Sequence, residues 1–218
     1  MSSPTSPPPV RRRRATRATR ARILDAALRE LARNPDSSLG DIAEAAGVAR
    51  RTVYTHFAGR AALVEGIAED AAEAIRLATA VLGRPDSGPV SALARFVLTL
   101  WPVGDCYRTL IGLVPQDLCA DQVGELLAPA RETALAILAE GQRQGVFHTV
   151  VPPGPLSAAI EAHLLALLAT VNSGIWSDDG TSAATAALIA AGVDDATAAA
   201  TVRRLRGTER QHTVVKGV

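Results

Sequence analysis

Four side chains suited to contacting nucleic acid stand close together within residues 50–55. Arg50 and Arg51 are followed by Tyr54 and Thr55, with no acidic residue among them. On a helix, this spacing brings all four side chains to one side. An arginine bonds bidentately to guanine O6 and N7, and side-chain hydroxyls also hydrogen-bond to base edges. The pattern indicates a helix whose outward side meets bases in a DNA major groove.

Two short helices joined by a glycine turn are expected to hold these side chains in place. Ser38 opens a variant capping box with Asp41 in place of Glu, so we predict that a second helix starts there and stops at Gly47. A third helix over 50–57 follows, and Gly59 closes it. Gly47 can adopt the left-handed conformation that the turn needs, and Ala43 is small enough to let the two helices cross closely.

An amphipathic helix precedes this pair, with an apolar stripe at Ile23, Ala27 and Leu31. The three helices together are typical of a helix-turn-helix, in which Val53 and Phe57 pack the third helix inward. The alternative is an ordinary helical hairpin with a solvated polar face.

The charge distribution favours the helix-turn-helix. Residues 1–62 carry twelve arginines and five acidic residues, a net charge of +7, whereas residues 63–218 have a net charge of −6. An arm runs from Arg11 to Arg20 without a single acid. A positive segment joined to a negative body suggests a polyanionic partner for the segment. The arm either contacts DNA, in the minor groove or along phosphates, or is a solvated tail.

Composition predicts an all-α fold, because aromatic residues make up only 3% of the chain and strand-like alternation is nearly absent. Beyond a turn at 83–89 we expect longer helices at about 90–101, 104–114, 121–144, 155–175 and 181–206, the last interrupted near Gly192. Pro102 should end one of them. We expect Cys106 and Cys119 to be reduced and buried.

At residues 22–63 the sequence resembles the DNA-binding domain of TetR-type transcriptional regulators. The residues that carry the resemblance are Ile23-Leu24-Asp25-Ala26-Ala27-Leu28, Ile42-Ala43-Glu44-Ala45-Ala46-Gly47-Val48, Thr52-Val53-Tyr54-Thr55-His56-Phe57 and Ala62-Leu63. The resemblance implies a helix-turn-helix domain at 17–62 and an effector-binding and dimerisation domain at 63–206. Composition predicts a disordered, arginine-rich arm at 1–16 and a flexible polar tail at 207–218.

The resemblance also implies contact roles for single residues. Base contacts fall on Arg50, Arg51 and Tyr54, with Thr55 possible beside them. Phosphate contacts fall on Thr52, His56 and Arg60. Gly40 stands where some members place a base-reading side chain, so sequence reading is expected to rest on the third helix.

For the C-terminal body, the resemblance implies a small-molecule pocket and a homodimer formed through the last two long helices. Residues 155–175 are apolar on more than one face, and Ala186, Ala187, Ala190 and Ala191 would allow a close approach. The candidate pocket residues are Phe96, Trp101, Tyr107 and His163, with Trp176 a further aromatic group. For each of them taken alone, a structural role in the core is favoured over ligand contact. They predict a mostly apolar effector.

Other functions find little support in the sequence. No catalytic triad, phosphate loop or metal-ligand spacing is present, so we expect no enzyme, no metal and no cofactor. Asp178-Asp179 and Asp194-Asp195 are expected to cap helices. The longest apolar run, 164–171, is too short to span a membrane, which favours a cytoplasmic protein. The sequence therefore predicts a ligand-responsive regulator, most simply a repressor that binds double-stranded operator DNA as a dimer. The alternative is a helical small-molecule-binding or protein-interaction module that no longer reads DNA.

Overall fold

The computed structural model describes residues 9–82 and 88–215, and in these segments the protein consists of ten helices without a strand. The prediction of an all-α fold is therefore confirmed. The helices are α1 (Pro9–Arg33), α2 (Leu39–Ala45), α3 (Arg50–His56), α4 (Arg60–Ala80), α5 (Gly88–Tyr107), α6 (Thr109–Asp117), α7 (Ala120–Arg143), α8 (Pro153–Asn172), α9 (Thr181–Ala190) and α10 (Asp195–Val215).

The predicted helix starts have their expected caps. At α2, the Ser38 amide donates to the Asp41 carboxylate at 2.8 Å, and the Asp41 amide donates to the Ser38 hydroxyl at 3.3 Å. These bonds from Ser38 hold the pKa of Asp41 below its ordinary value. The amides of Ser182 and Ala183 donate to Asp178 at 3.0 Å, both near the start of α9. The expectation that Asp178 caps a helix is confirmed.

Two helices extend further than the sequence predicts. The N-terminal arm was expected to be disordered to residue 16, yet α1 begins at Pro9. The tail was expected to be loose from residue 207, yet α10 continues to Val215. Alanine and arginine favour helix, so α1 can extend from its buried part towards the N-terminus without packing against another helix. The expectations for residues 1–8 and for the turn at 83–87 fall outside the described residues.

The prediction that Pro102 ends a helix is wrong, because α5 runs through it to Tyr107. Proline removes one backbone hydrogen bond and crowds the preceding turn. Leu98 and Trp101 anchor the turn before Pro102 in the core, and beyond it the Tyr107 hydroxyl bonds to Asp70. Tyr107 therefore lies on the same continuous helix as Trp101.

The buried side chains form two clusters that meet along α4. One cluster joins α1 to α4 and includes two residues of α6, Leu110 and Leu113. The other joins α5 with α7 to α10 and is centred on Leu93, Leu138 and Leu188. The boundary expected at residue 62 stays a prediction, since α4 begins at Arg60 and crosses from one region to the other.

Both cysteines are unpaired, but the expectation that they are buried is wrong: Cys106 and Cys119 are exposed. Cys106 lies in the last turn of α5 and Cys119 caps α7, so neither position faces a core. Partial desolvation and the neighbouring Asp25 raise the pKa of the Cys106 thiol.

The helix α8 has apolar surface that its own chain does not cover. By length and composition alone it could cross a membrane, although its longest uninterrupted apolar run is short. Only 22% of its most apolar window is buried. Its exposed side chains include Ala162, His163 and Ala166. A helix that is apolar on several faces but covered on few of them needs a further partner.

Candidate DNA-binding interface and apolar cavities

The turn between α2 and α3 has the close geometry that the sequence predicts. Gly47 has a φ of 62°, in the left-handed region that glycine adopts without strain. The Val48 amide donates to the carbonyl of Ala43 at 3.0 Å, which closes the turn. The Ala43 side chain is 1% exposed, so a larger residue there would push the two helices apart.

The helix α3 is buried on one side and open on the other. Val53 and the following Phe57 are 0% and 3% exposed, and they fix the helix on the core. Tyr54, in contrast, is 57% exposed. The structure brings the predicted base-contacting residues together on the open side, namely Arg50, Arg51, Tyr54 and Thr55. The predicted phosphate-contacting residues Thr52 and His56 are half-buried at its margins.

The first arginine of α3 rests over the start of α2. A Cβ atom added at Gly40 would overlap the guanidinium group of Arg50, so only glycine leaves room for this arrangement. Gly40 has no side chain with which to contact DNA, but the basic side chain of Arg50 from the neighbouring helix covers this position. A positive charge is thereby presented at both helices of the pair.

The predicted phosphate contact Arg60 already has a partner within the chain. Its Nη2 donates to Asp117 Oδ2 at 3.1 Å, and its Nε donates to Asp117 Oδ1 at 3.3 Å. The Asp117 side chain is 12% exposed and that of Arg60 is 34% exposed. Asp117 ends α6, and its 57-residue separation from Arg60 leaves no local signal of this contact in the sequence. Arg60 therefore links the start of α4 to the C-terminal body.

A second polar contact joins the same two regions. The Tyr107 hydroxyl donates to Asp70 Oδ2 at 2.7 Å, which ties the end of α5 to α4. Burial and this hydrogen bond raise the pKa of Tyr107 well above its ordinary value. Tyr107 thus serves as a hydrogen-bond donor in this contact, close along the chain to the start of α6.

Phe96 and Trp101 line an apolar cavity of about 130 Å³ between α5, α7 and α8. The Trp101 indole donates to the Asp178 carbonyl at 3.0 Å and packs edge-on against Trp176, with 6.2 Å between ring centroids. The cavity's polar lining comes from Ser157 and from Arg131 and Glu161, which form a bidentate ion pair with two 2.7 Å bonds.

Tyr107 lines a second apolar cavity of about 220 Å³, bounded by α4, α6 and α7. The two cavities share five lining residues and are therefore adjacent: Ile75, Gly104, Leu127, Leu165 and Leu168. The remaining candidate, His163, is exposed on α8 and lines neither cavity. The prediction for His163 rests on helix periodicity, which assigns a residue to a face of the helix but does not indicate which face packs against another helix.

These features define a class of protein: an all-helical DNA-binding regulator with an N-terminal helix-turn-helix and a larger helical body that contains apolar cavities. Residues 23–67 match the model of the TetR family of bacterial regulatory proteins. Over 86 residues the chain is 43% identical to LfrR, a transcriptional repressor of Mycolicibacterium smegmatis. That segment covers 38% of this chain and 44% of the repressor.

The solved structures extend the similarity to the whole body. The crystal structure of LfrR from Mycobacterium smegmatis with proflavine is 30% identical, with a TM-score of 0.60, and the match covers 79% of this chain and 96% of that one. The regulator PfmR of Thermus thermophilus shares the fold, with a TM-score of 0.66 at 20% identity over 79% of this chain and 98% of that one. The protein belongs to the TetR family, which is a family of DNA-binding regulators and not of enzymes.

Proposed function

We propose that the protein is a dimeric repressor that binds operator DNA through α3 and is released by a small, mostly apolar effector. The observation that carries this proposal is the open side of α3, on which four polar side chains stand without an acid while Val53 and Phe57 anchor the helix. A retired DNA-binding face would have no reason to stay free of acidic residues. The similar protein LfrR is a transcriptional repressor, which supports the same function.

The contact roles divide according to position on α3. Arg50, Arg51 and Tyr54 read base edges, with Thr55 beside them, because these side chains are the most exposed on the helix. Thr52 and His56 sit at the margins, where the DNA backbone passes, and donate to phosphate. Arg60 joins them once it leaves Asp117.

The effector site comprises the two neighbouring cavities between α4, α5, α7 and α8. Their walls are almost entirely aliphatic and aromatic, which selects an apolar molecule, and Ser157 with the Arg131–Glu161 pair supplies the few polar contacts. The LfrR structure contains proflavine, so proflavine is a suitable first probe for this chain.

Coupling between effector and DNA runs through α6 and the end of α5. Leu110 and Leu113 of α6 belong to the core of the DNA-binding region, and Leu110 also lines the second cavity. A ligand that displaces α6 shifts Asp117 and with it Arg60, at the start of α4. An effector weakens DNA binding only by the factor by which it prefers the arrangement that does not bind DNA over the arrangement that does.

The dimer forms through α8 and the helices that follow it. The uncovered alanines of α8 and the 45% exposed Ile189 of α9 supply an apolar surface. Of the four alanines expected to meet a partner, Ala187 and Ala191 are instead 0% exposed within their own chain. Ala186 and Ala190 remain accessible. This surface accounts for the apolar character of α8 in a cytoplasmic protein.

A mobility-shift titration with the DNA upstream of the protein's own gene tests the proposal. We expect a specific complex that unlabelled upstream DNA competes away and random DNA does not. Proflavine, followed by a thermal-shift screen of metabolites, then tests release. A protein that binds a small molecule but no DNA would be a binding module instead, and the proposal would fail.

A further inference from the structure

The N-terminal part of α1 is a basic helix that extends beyond the core of the DNA-binding region. Residues 14–18 are all exposed, and the first fully buried residue is Ile23. Seven arginines lie between residues 11 and 22, and no acid precedes Asp25. We use the term basic helix for residues 9–22 of α1.

Of the arginines of the basic helix whose side chains the structure describes, Arg20 forms an ion pair, with Glu69. Among the described residues, none of Arg14, Arg17 and Arg22 belongs to an ion pair. Arg14 and Arg17 are three residues apart, and like charges at this spacing destabilise a helix. Residues 14–18 therefore bury no side chain in the core, and the repulsion between Arg14 and Arg17 weakens the helix. A surface of this kind gains from an anionic partner that the chain itself does not provide.

The C-terminal end of the basic helix lies beside the C-terminal end of α3, the helix proposed to read DNA. The Arg20 guanidinium lies 5.3 Å from the centroid of the Phe57 ring, and Phe57 is the residue that caps α3. Arg20 Nη2 also donates to Glu69 on α4 at 2.8 Å. These contacts fix the point at which the basic helix leaves the domain, at the C-terminal end of α3. In homeodomains the C-terminal end of the recognition helix contacts the DNA backbone, and a similar placement of α3 would bring the basic helix close to phosphates at the edge of the half-site.

We propose that the basic helix binds the phosphates of the DNA that flanks the half-site read by α3, without regard to base sequence. The segment from Pro9 to Arg20 spans about 16 Å as a helix, which is the length of about five base pairs along the duplex axis. This inference rests on the proposed function, since it requires that α3 places the protein on DNA. Its chemistry is the pairing of arginine with phosphate, which positions a protein but does not specify a sequence.

Fluorescence anisotropy with two duplexes tests the proposal. The full chain first selects a binding sequence from random double-stranded DNA. One duplex is then trimmed to the selected half-sites, and the other is extended at each end by half a helical turn of arbitrary sequence. Wild type is compared with the double variant R14Q/R17Q. The control R76Q/R143Q removes the same charge from exposed positions of the C-terminal body, and circular dichroism confirms that each variant is folded.

We expect wild type and the control to bind the extended duplex more tightly than the trimmed one. R14Q/R17Q should bind the two duplexes alike, and its slope of log affinity against log salt should be less steep by about 0.9 for each phosphate that is no longer neutralised. If R14Q/R17Q keeps the wild-type preference and slope, the basic helix is a passive extension and the inference is overturned. Failure of wild type to select any sequence overturns the proposed function as well, which separates the two cases.

Discussion

Replacing Asp117 with asparagine tests how the C-terminal body controls contact with DNA. The change keeps the size of the side chain and removes the charge that holds Arg60 at 3.1 Å and 3.3 Å. Arg60 donates to Asp117 through Nε and Nη2, so this edge of the guanidinium reaches a phosphate only when the pair opens. The ion pair therefore competes with DNA, and the variant D117N should bind operator DNA more tightly than wild type does.

The size of the effect follows from the burial of the pair. Asp117 is 12% exposed but Arg60 is 34% exposed, so solvent screens part of the attraction, and the pair is worth about 1 kcal/mol. Each protomer gains this amount when the pair no longer has to be broken, which is about a fivefold rise in affinity. A dimer on two half-sites gains about 2 kcal/mol, or roughly 30-fold.

Anisotropy titrations of the operator with D117N, D121N and the R60Q/D117N double variant measure this gain. D121N makes the same charge change at the exposed Asp121, close in sequence but outside the pair. It should therefore show only the small effect of net charge. In the R60Q background, D117N should add nothing, because its partner has gone.

The reasoning is refuted if D117N binds the operator no more tightly than D121N. A loss of affinity in D117N alone would show that the pair holds the DNA-binding arrangement together and does not compete with phosphate. A gain that persists in the R60Q background would show that Asp117 acts through some other group.

Three further changes test separate parts of the proposal. Arg51→Ala should relax base choice at one operator position by about 1–3 kcal/mol, measured by competition with single-base variants. Ala130→Phe should fill the first cavity and abolish ligand-induced release, measured by anisotropy with a ligand from the thermal-shift screen, while operator affinity stays unchanged. Ala166→Glu should leave the protomer folded and yield monomers in sedimentation velocity, because Ala166 is exposed on α8.

Two of these variants have a matched control. Arg60→Ala should weaken binding to all sequences alike, so an equal loss of discrimination in Arg51→Ala and Arg60→Ala would remove the division into base and phosphate contacts. Wild-type release in Ala130→Phe would place the effector elsewhere. As a control, Ala136→Glu adds the same charge at an exposed position of α7. If both glutamate variants are monomers, or if neither is, a dimer through α8 is contradicted.

The sequence was most informative where structure is set by neighbours along the chain. The Ser38–Asp41 cap, the Gly47 turn and the open side of α3 all depend on residues a few positions apart, and all were predicted. Pro102 was misjudged because its local cost is offset by packing from distant helices. The composition of residues 9–16 and 207–215 predicted no helix there, yet α1 and α10 include these residues.

Contacts between distant segments could not be read from one sequence. Nothing in the spacing of Arg60 and Asp117 indicates that they meet, and the same holds for Tyr107 and Asp70. The cavity candidates show the same limit: Phe96, Trp101 and Tyr107 line cavities while His163 does not. Periodicity gives the faces of a helix, but the partner of each face is settled by the packing of the whole chain.

The central claim is that two copies of α3 read a symmetric operator, and selection from random double-stranded DNA tests it most directly. The full chain should enrich a two-fold symmetric motif whose half-site centres are separated by about 10 base pairs or a multiple of that spacing. Enrichment of no motif, or of an asymmetric motif occupied by one protomer, would contradict the account.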